Sequence, residues 1–154
     1  MARLIIEDFA ALRKLEGESL PTGEWLTVTQ EMINDFAKAT GDFQWIHVDV
    51  EKATQHSPFK KPIAHGFFSV AMLSKMLEDL FLVKSAKMMV NYGLNKVRFP
   101  SAVVVDSRLR LVCSVARIED YGDNGLKITW NCTVEIEGTD KPACVAEFII
   151  LAFE

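Results

Sequence analysis

The sequence has few cysteines and no excess of basic residues, and each shortage excludes a class of protein. The three cysteines, Cys113, Cys132 and Cys144, are odd in number and widely spaced, and none forms a Cys-x-x-Cys pair. They therefore indicate neither a zinc site nor a disulfide framework. The formal net charge is −4, with 17 basic against 21 acidic residues. Without a basic run, this balance argues against a protein that binds duplex nucleic acid.

Long apolar runs and targeting signals are also missing. No run approaches the roughly 20 apolar residues that a helix needs to span a membrane. The first residues, MARLIIEDF, reach an acid within eight positions and contain no apolar region typical of signal peptides. We therefore expect a cytoplasmic protein. The length of 154 residues, with no internal repeat or linker, predicts that residues 1–154 form a single domain.

The first half of the sequence has helical patterns. Apolar residues at helical spacing predict a short leading helix at 5–15 and a second helix at 30–40. Thr29 is placed to cap the second helix, and Gly41 follows it where a left-handed residue is expected. Residues 66–82 are apolar around almost the whole helical wheel. This pattern predicts a long helix that is buried on all sides.

The second half is rich in valine and isoleucine and partly alternating, which predicts strands. Together with a strand at 25–28, the predicted strands cover residues 87–99, 102–118, 126–137 and 143–153. Glycine-containing turns at 121–125 and 138–140 predict hairpins, and hairpins produce an antiparallel sheet. A curved, five-stranded antiparallel sheet around the 66–82 helix buries every apolar segment. The predicted fold class is therefore α+β.

The most informative segment is ATGDFQWIHVD at 39–49, followed by Ala-His-Gly at 64–66. Asp42 and His47 lie five residues apart, on what we predict to be an irregular loop after the second helix. The His-Gly step then opens the long helix, whose first turn has unpaired N–H groups. An acid and a base on one loop, near such donors, can activate water and stabilise an oxyanion. The pattern predicts an enzyme.

These segments resemble the MaoC-like family of hot-dog-fold dehydratases, specifically the (R)-specific enoyl-CoA hydratases. The family hallmark is Gly-Asp-x-Asn-Pro-aliphatic-His-x-Asp followed by Ala-His-Gly, and this sequence has GDFQWIHVD at 41–49 and IAHG at 63–66. NYGLNKVRFP at 91–100 and KPACVAE at 141–147 extend the match. They are similar to the nodulation protein N-like subgroup, which also has Gln-Trp in place of Asn-Pro. The resemblance implies a single hot-dog domain, with its sheet wrapped around the central helix.

The resemblance implies roles for individual residues. Asp42 and His47 correspond to the catalytic pair, and the N–H of Gly66 corresponds to an oxyanion-hole donor. Ser74 matches a family serine that supports the catalytic aspartate. We expect His65 to orient the loop or to bond to backbone near the start of the long helix.

Further residues are expected to hold the loop or to bind substrate. Gln44 replaces the family asparagine that helps to hold the loop. Trp45 adds bulk beside the site, so acyl-chain selectivity does not transfer from the Asn-Pro members. Tyr92 and Asn95 have no obvious core role, so we expect one of them to line an acyl tunnel. Arg98 and three lysines are candidates to bind coenzyme A phosphates, with solvated surface charge an equal alternative: Lys60, Lys61 and Lys96.

The resemblance predicts reversible hydration of trans-2-enoyl-CoA to (R)-3-hydroxyacyl-CoA by a water that the Asp/His pair activates. The expected substrate is a thioester of coenzyme A or of acyl-carrier protein. No metal or redox cofactor is expected, because coenzyme A belongs to the substrate. Related proteins pair their sheets edge to edge, which implies a homodimer.

Three alternatives remain at this stage. A hot-dog acyl-CoA thioesterase would release free thiol, and a non-catalytic protein would bind acyl thioesters without turnover. His47, Asp49 and His65 could also form a two-histidine, one-carboxylate metal site. The predicted loop does not offer the strand positions that such ligands usually occupy. Asp49 is in addition well placed to cap a short helical turn.

Overall fold

The computed structural model describes residues 2–154. The elements in chain order are β1 (Leu4–Ile6), α1 (Phe9–Arg13), β2 (Leu26–Thr27), α2 (Gln30–Thr40), α3 (Trp45–Val48), α4 (Val50–His56), α5 (Gly66–Leu80), β3 (Phe81–Val83), β4 (Met88–Arg98), β5 (Arg108–Tyr121), β6 (Gly125–Ile136) and β7 (Cys144–Phe153). No helix in the described range is long and apolar enough to cross a membrane.

Five strands form one antiparallel sheet in the order β2-β5-β6-β7-β4. Strands β5 and β6 form a long hairpin, and β7 joins β6 to β4. The sheet curls, and α5 packs against its strands β5 and β7. The predicted α+β class and the antiparallel five-stranded sheet around a helix are therefore confirmed.

The core lies between α5 and the inner face of the sheet. Alternate residues of β5 point inward and are buried, as the period of two in a strand requires. Trp130 of β6 is fully buried and stacks on Phe81, with ring centroids 5.0 Å apart. The three cysteines are free and buried, and burial raises the pKa of Cys113 to about 12 and that of Cys144 to about 11. They act as small apolar core residues.

Two predicted helix boundaries are wrong. The leading helix begins only at Phe9, where the Asp8 side chain caps it, and residues 4–6 instead form β1. Strand β1 pairs in parallel with β3, so α5 ends at Leu80 rather than at residue 82. The β-branched Ile5 and Ile6 favour a strand once a partner backbone is available, and residues 81–83 supply it.

The prediction that the long helix is buried on all sides is also wrong. Phe68, Leu73 and Leu77 face the sheet and are buried, but Phe67 is 73% exposed and Ala71 is exposed. A single sheet covers one side of α5 only. The exposed side of the helix begins beside β4, the edge strand of this sheet, whose residues are also mostly exposed.

Two predicted strands are shorter than expected. Strand β2 covers only Leu26–Thr27, and β5 begins at Arg108 rather than at residue 102. Residues 102–107 instead run alongside the segment that precedes α5. There Val104 forms an isolated bridge with Ile63, and the Ala64 N–H donates to the Val103 carbonyl at 2.8 Å. This bracing fixes the start of α5.

Candidate functional site

Helix α2 ends where the sequence predicted and delivers Asp42 to the site. The Thr29 hydroxyl caps the helix by accepting from the Met32 N–H at 3.2 Å. Gly41 ends it with φ of 77°, a left-handed conformation that glycine adopts at little cost. The Asp42 carboxylate then accepts from the Gln44 N–H at 3.3 Å. This contact turns the chain into α3, so the predicted irregular loop contains a helical turn at Trp45–Val48.

Helix α3 carries His47 into the protein, where its side chain is only 6% exposed. Its Nδ1 lies 2.7 Å from the Ile63 carbonyl oxygen. A carbonyl can only accept, so Nδ1 carries the proton and Nε2 keeps a bare lone pair. Burial lowers the pKa of His47 below its ordinary value, and the neighbouring His65 lowers it further. The Ile63 hydrogen bond and the Asp42 charge oppose this change. A neutral ring with a free Nε2 can act as a base.

His65 connects the two ends of the site. Its side chain is 3% exposed, and its Nε2 donates to the Asp42 carbonyl oxygen at 2.9 Å. The His65 ring stacks on the His47 ring, with centroids 3.8 Å apart and 23° between the planes. Its Nδ1 is buried and has no hydrogen-bond partner among residues 2–154. His65 thus holds the backbone of Asp42 and the face of His47 together.

The acid, the base and His65 form one cluster. One side-chain donor atom from each of Asp42, His47 and His65 lies within 4.8 Å of the other two. The Asp42 side chain is 54% exposed, while both imidazoles are buried. The carboxylate is therefore in contact with solvent beside two buried rings. One water molecule between the two groups could exchange protons with both.

Gly66 begins α5 beside this cluster. No side chain caps the helix, and the Phe68 N–H of its first turn donates to the His65 carbonyl at 3.0 Å. The Gly66 N–H stays available to a ligand at the positive end of the helix dipole. A Cβ at residue 66 would stand 2.9 Å from Cδ2 of Phe99, so a larger residue at this position would displace the Phe99 ring. His47, His65, Gly66 and Phe99 line a common pocket of about 280 Å³. The predicted base and oxyanion donor thus face the same small space.

The cluster contains donor types that could hold a metal ion, but its geometry is poor for one. The in-plane lone pairs of two stacked imidazoles converge badly on a single ion. The trio of His47, Asp49 and His65 is not assembled, because the Asp49 carboxylate caps α4 by accepting from the Lys52 N–H at 2.9 Å. The helix-cap interpretation of Asp49 is therefore confirmed.

Ser74 does not meet Asp42 in the described part of the chain. Its hydroxyl donates to the Asn91 side chain at 3.1 Å. Ser74 lies eight residues beyond Gly66, about 12 Å along α5 at the usual rise per residue. This separation explains why the expected support of the aspartate by Ser74 is missing.

The remaining predicted residues lie around the site or away from it. Gln44 is exposed and engages the Asp42 carboxylate through its backbone only. Trp45 is half-buried, with the Lys52 ammonium 4.9 Å from its ring centroid. None of three further residues lines the pocket of His47 and Gly66, and all are exposed: Tyr92, Asn95 and Arg98. Tyr92 instead packs edge-on against Tyr121 at 6.0 Å.

Sequence reasoning missed one residue that holds the site. The Gln30 amide, at the start of α2, donates to the His47 carbonyl at 2.8 Å and to the Asn34 side chain at 3.0 Å. It ties the turn that carries His47 to the helix that precedes it. The bond spans 17 residues, so no local pattern identifies it.

Comparisons with known proteins identify the family and the fold. The profile of the family described as "MaoC like domain" matches residues 12–135. The 3-hydroxyacyl-thioester dehydratase Z of Mycobacterium tuberculosis is 49% identical over 144 residues, which cover 94% of this chain and 95% of that protein. Nodulation protein N of Rhizobium meliloti is 43% identical over 141 residues, covering 90% and 86%. Among solved structures, the unliganded R-hydratase PhaJ1 of Pseudomonas aeruginosa matches with a TM-score of 0.69 at 22% sequence identity. The match covers 89% of this chain and 83% of that chain. At this identity it shows a shared fold alone.

Proposed function

The chain belongs to the MaoC-like dehydratase family, whose members are hydro-lyases. From this premise, we propose that the protein is an (R)-specific enoyl-CoA hydratase. The reaction adds water across the C2=C3 bond of a trans-2-enoyl thioester. Oxygen bonds to C3 and a proton bonds to C2, giving the (R)-3-hydroxyacyl thioester. The reverse reaction is a dehydration, the activity in the name of the mycobacterial relative.

The observation that carries this proposal is the state of His47. Its Nδ1–H donates to the Ile63 carbonyl, its Nε2 carries no proton, and burial lowers the pKa of the ring. It can therefore take a proton from water at neutral pH. The Asp42 carboxylate, within 4.8 Å, is placed to hold the same water.

The three groups divide the chemistry between them. His47 removes a proton as the water attacks C3, and the electron pair of the double bond moves onto the thioester oxygen. The Gly66 N–H at the uncapped start of α5 stabilises that oxygen. The Asp42/His47 pair then delivers a proton to C2 from the same side. No electrons are gained or lost overall, so no redox cofactor is required.

Exposed cations near the site are candidates to bind the phosphates of coenzyme A. Lys60, Lys61, Lys96 and Arg98 have no acidic partner within the described range, and all four are exposed. Lys96 and Arg98 lie at the end of β4, directly before Phe99 of the pocket. Unpaired cations are available to phosphates. This arrangement supports coenzyme A as the thioester carrier.

The exposed edge strand β4 favours the formation of a homodimer. It forms one edge of the sheet over 11 residues, and its exposed side chains include Met88, Met89, Val90, Tyr92 and Leu94. A long apolar edge with unpaired backbone groups pairs readily with another strand. A second copy that adds its own β4 would cover both the edge and the exposed side of α5.

A direct assay tests the activity. Purified protein is mixed with crotonyl-CoA while the enoyl-thioester absorbance is followed, with chiral analysis of the product and a free-thiol assay. Loss of absorbance with (R)-3-hydroxybutyryl-CoA and no thiol is the expected result. Thiol release would instead indicate a thioesterase. Binding without turnover, across short and long enoyl-CoAs and acyl-carrier-protein thioesters, would indicate an acyl-binding protein.

A further inference from the structure

We infer that Phe99 is a positioning residue for the oxyanion site, covering Gly66 so that water is kept from the thioester oxygen. The inference rests on the proposed function. It assigns a role to a residue outside the Asp42/His47 pair. Phe99 directly follows strand β4, at the point where the chain turns toward Pro100.

The contact between Phe99 and Gly66 is close. From the position of a Cβ on residue 66, the ring atoms Cδ2, Cε2 and Cγ of Phe99 are 2.9, 3.1 and 3.2 Å away. These three atoms are consecutive in the ring, so the Cγ–Cδ2–Cε2 side of the ring is the part nearest to Gly66. Only hydrogen fits between them. The ring therefore sits next to the first peptide of α5.

The surroundings of Phe99 are those of a pocket wall rather than of the core. The ring is 40% exposed and does not belong to the buried core cluster. It lines the 280 Å³ pocket with His47 and Gly66. On its other side it meets Phe67 edge-to-face, with centroids 6.0 Å apart, and Phe67 is 73% exposed. The Phe99 ring therefore lines the pocket and also contacts the exposed ring of Phe67.

An apolar ring in this place strengthens the oxyanion site. The attraction between an N–H dipole and a developing negative charge falls steeply when water shares the space. The Phe99 ring has no polar atom that competes for the Gly66 N–H, and it occupies volume that water would otherwise fill. The negative charge on the oxygen develops in the transition state. The loss of the ring should therefore change kcat more than KM.

Single variants at residue 99 test this role with crotonyl-CoA. We expect F99A to lower kcat about tenfold or more, less than the loss of a whole oxyanion donor, with KM changed less than about threefold. F99L keeps a large apolar side chain and should retain most of the wild-type kcat. F59A is the matched control, because Phe59 is 44% exposed, lies after α4 and does not line the pocket. Thermal unfolding of each variant separates lost packing from lost positioning.

A double-mutant cycle tests the contact itself. G66A keeps the backbone N–H but should displace the Phe99 ring and lower kcat. In the F99A background the same substitution should cost little more, so the two effects should fall short of additive. Unchanged kcat in a folded F99A protein, or strict additivity, would overturn the role of Phe99 alone. A wild-type protein that hydrates no enoyl thioester would overturn the proposed function and the role of Phe99 with it.

Discussion

The imidazole of His65 stacks on the imidazole of His47, 3.8 Å between centroids. Each ring donates a proton to a backbone carbonyl, His47 to Ile63 and His65 to Asp42. A second proton on His47 would place a charge in a buried position with little water to screen it, and burial accordingly lowers the pKa of His47. The neutral form of the His47 ring is therefore favoured. In the proposed mechanism, this relationship leaves His47 able to accept a proton from water.

The pH dependence of activity should follow from the lowered pKa of His47. The folded protein keeps the His47 ring neutral at pH values below its ordinary pKa of 6.5. The ratio kcat/KM should therefore fall only below pH 6.5. H65Q removes one cause of the lowering, so the acid limb should move to higher pH. Stopped-flow hydration across pH 4.5 to 8 measures both curves. An acid limb at or above pH 6.5 in the wild type would contradict this account.

Stability should change over the same range of pH. The unfolded chain binds a proton at His47 near pH 6.5, whereas the folded chain binds it only at a lower pH. The neutral buried ring therefore makes its full contribution to the free energy of unfolding above pH 6.5. This contribution is lost as the pH falls through the lower pKa of His47 in the folded state. Urea unfolding at several pH values should show this loss, and H47Q should weaken it.

Removing either member of the catalytic pair should abolish most of the hydration. We expect D42N and H47Q each to lower kcat by roughly 10²–10⁴, the usual contribution of a positioned acid or base. D49N is the matched control, because asparagine also caps helices and Asp49 serves α4 only. Near-wild-type rates in folded D42N and H47Q would exclude the mechanism.

Gln30 should matter to both stability and rate. Its amide is the tie between α2 and the His47 carbonyl, so Q30A leaves a carbonyl without its donor. We expect the free energy of unfolding in urea to fall by about 1–2 kcal/mol. The rate kcat should fall with it, because the turn that carries His47 becomes looser. Q55A, at an exposed glutamine of α4, should change neither quantity.

The edge strand β4 should determine the oligomeric state. At micromolar concentration we expect the wild type to sediment as a dimer. L94K places a charge on the exposed edge and should shift the protein toward monomer. V145K is the control, since Val145 is similarly exposed at 43% but lies on the interior strand β7. A monomeric wild type would refute the proposed pairing.

Local signals in the sequence predicted the parts of the site that depend on neighbouring residues. The caps at Thr29 and Asp49 and the left-handed Gly41 were all readable, because each involves bonds across only a few residues. The hairpins and the antiparallel sheet followed from turn residues and alternation. The resemblance to MaoC-like dehydratases identified Asp42, His47 and Gly66, although their roles stay predictions.

Long-range contacts could not be predicted in this way. Strand β1 depends on a partner at residues 81–83, more than 70 residues away, and its apolar residues also fit a helix. The exposed side of α5 depends on how much of the helix one sheet can cover. The helical wheel alone overestimated that coverage.

The sequence by itself determined the order of the main helices and of the five strands of the antiparallel sheet, and the identity of the chemical groups. Both depend on short-range spacing and residue type. Only the tertiary structure decided that His65 stacks on His47, that Gln30 holds the His47 carbonyl, that Ser74 bonds Asn91 and that Phe99 covers Gly66. These partners are separated by 17 to 33 residues and meet only after the chain folds back on itself. Such contacts leave no periodic trace in the sequence, because packing in three dimensions selects them.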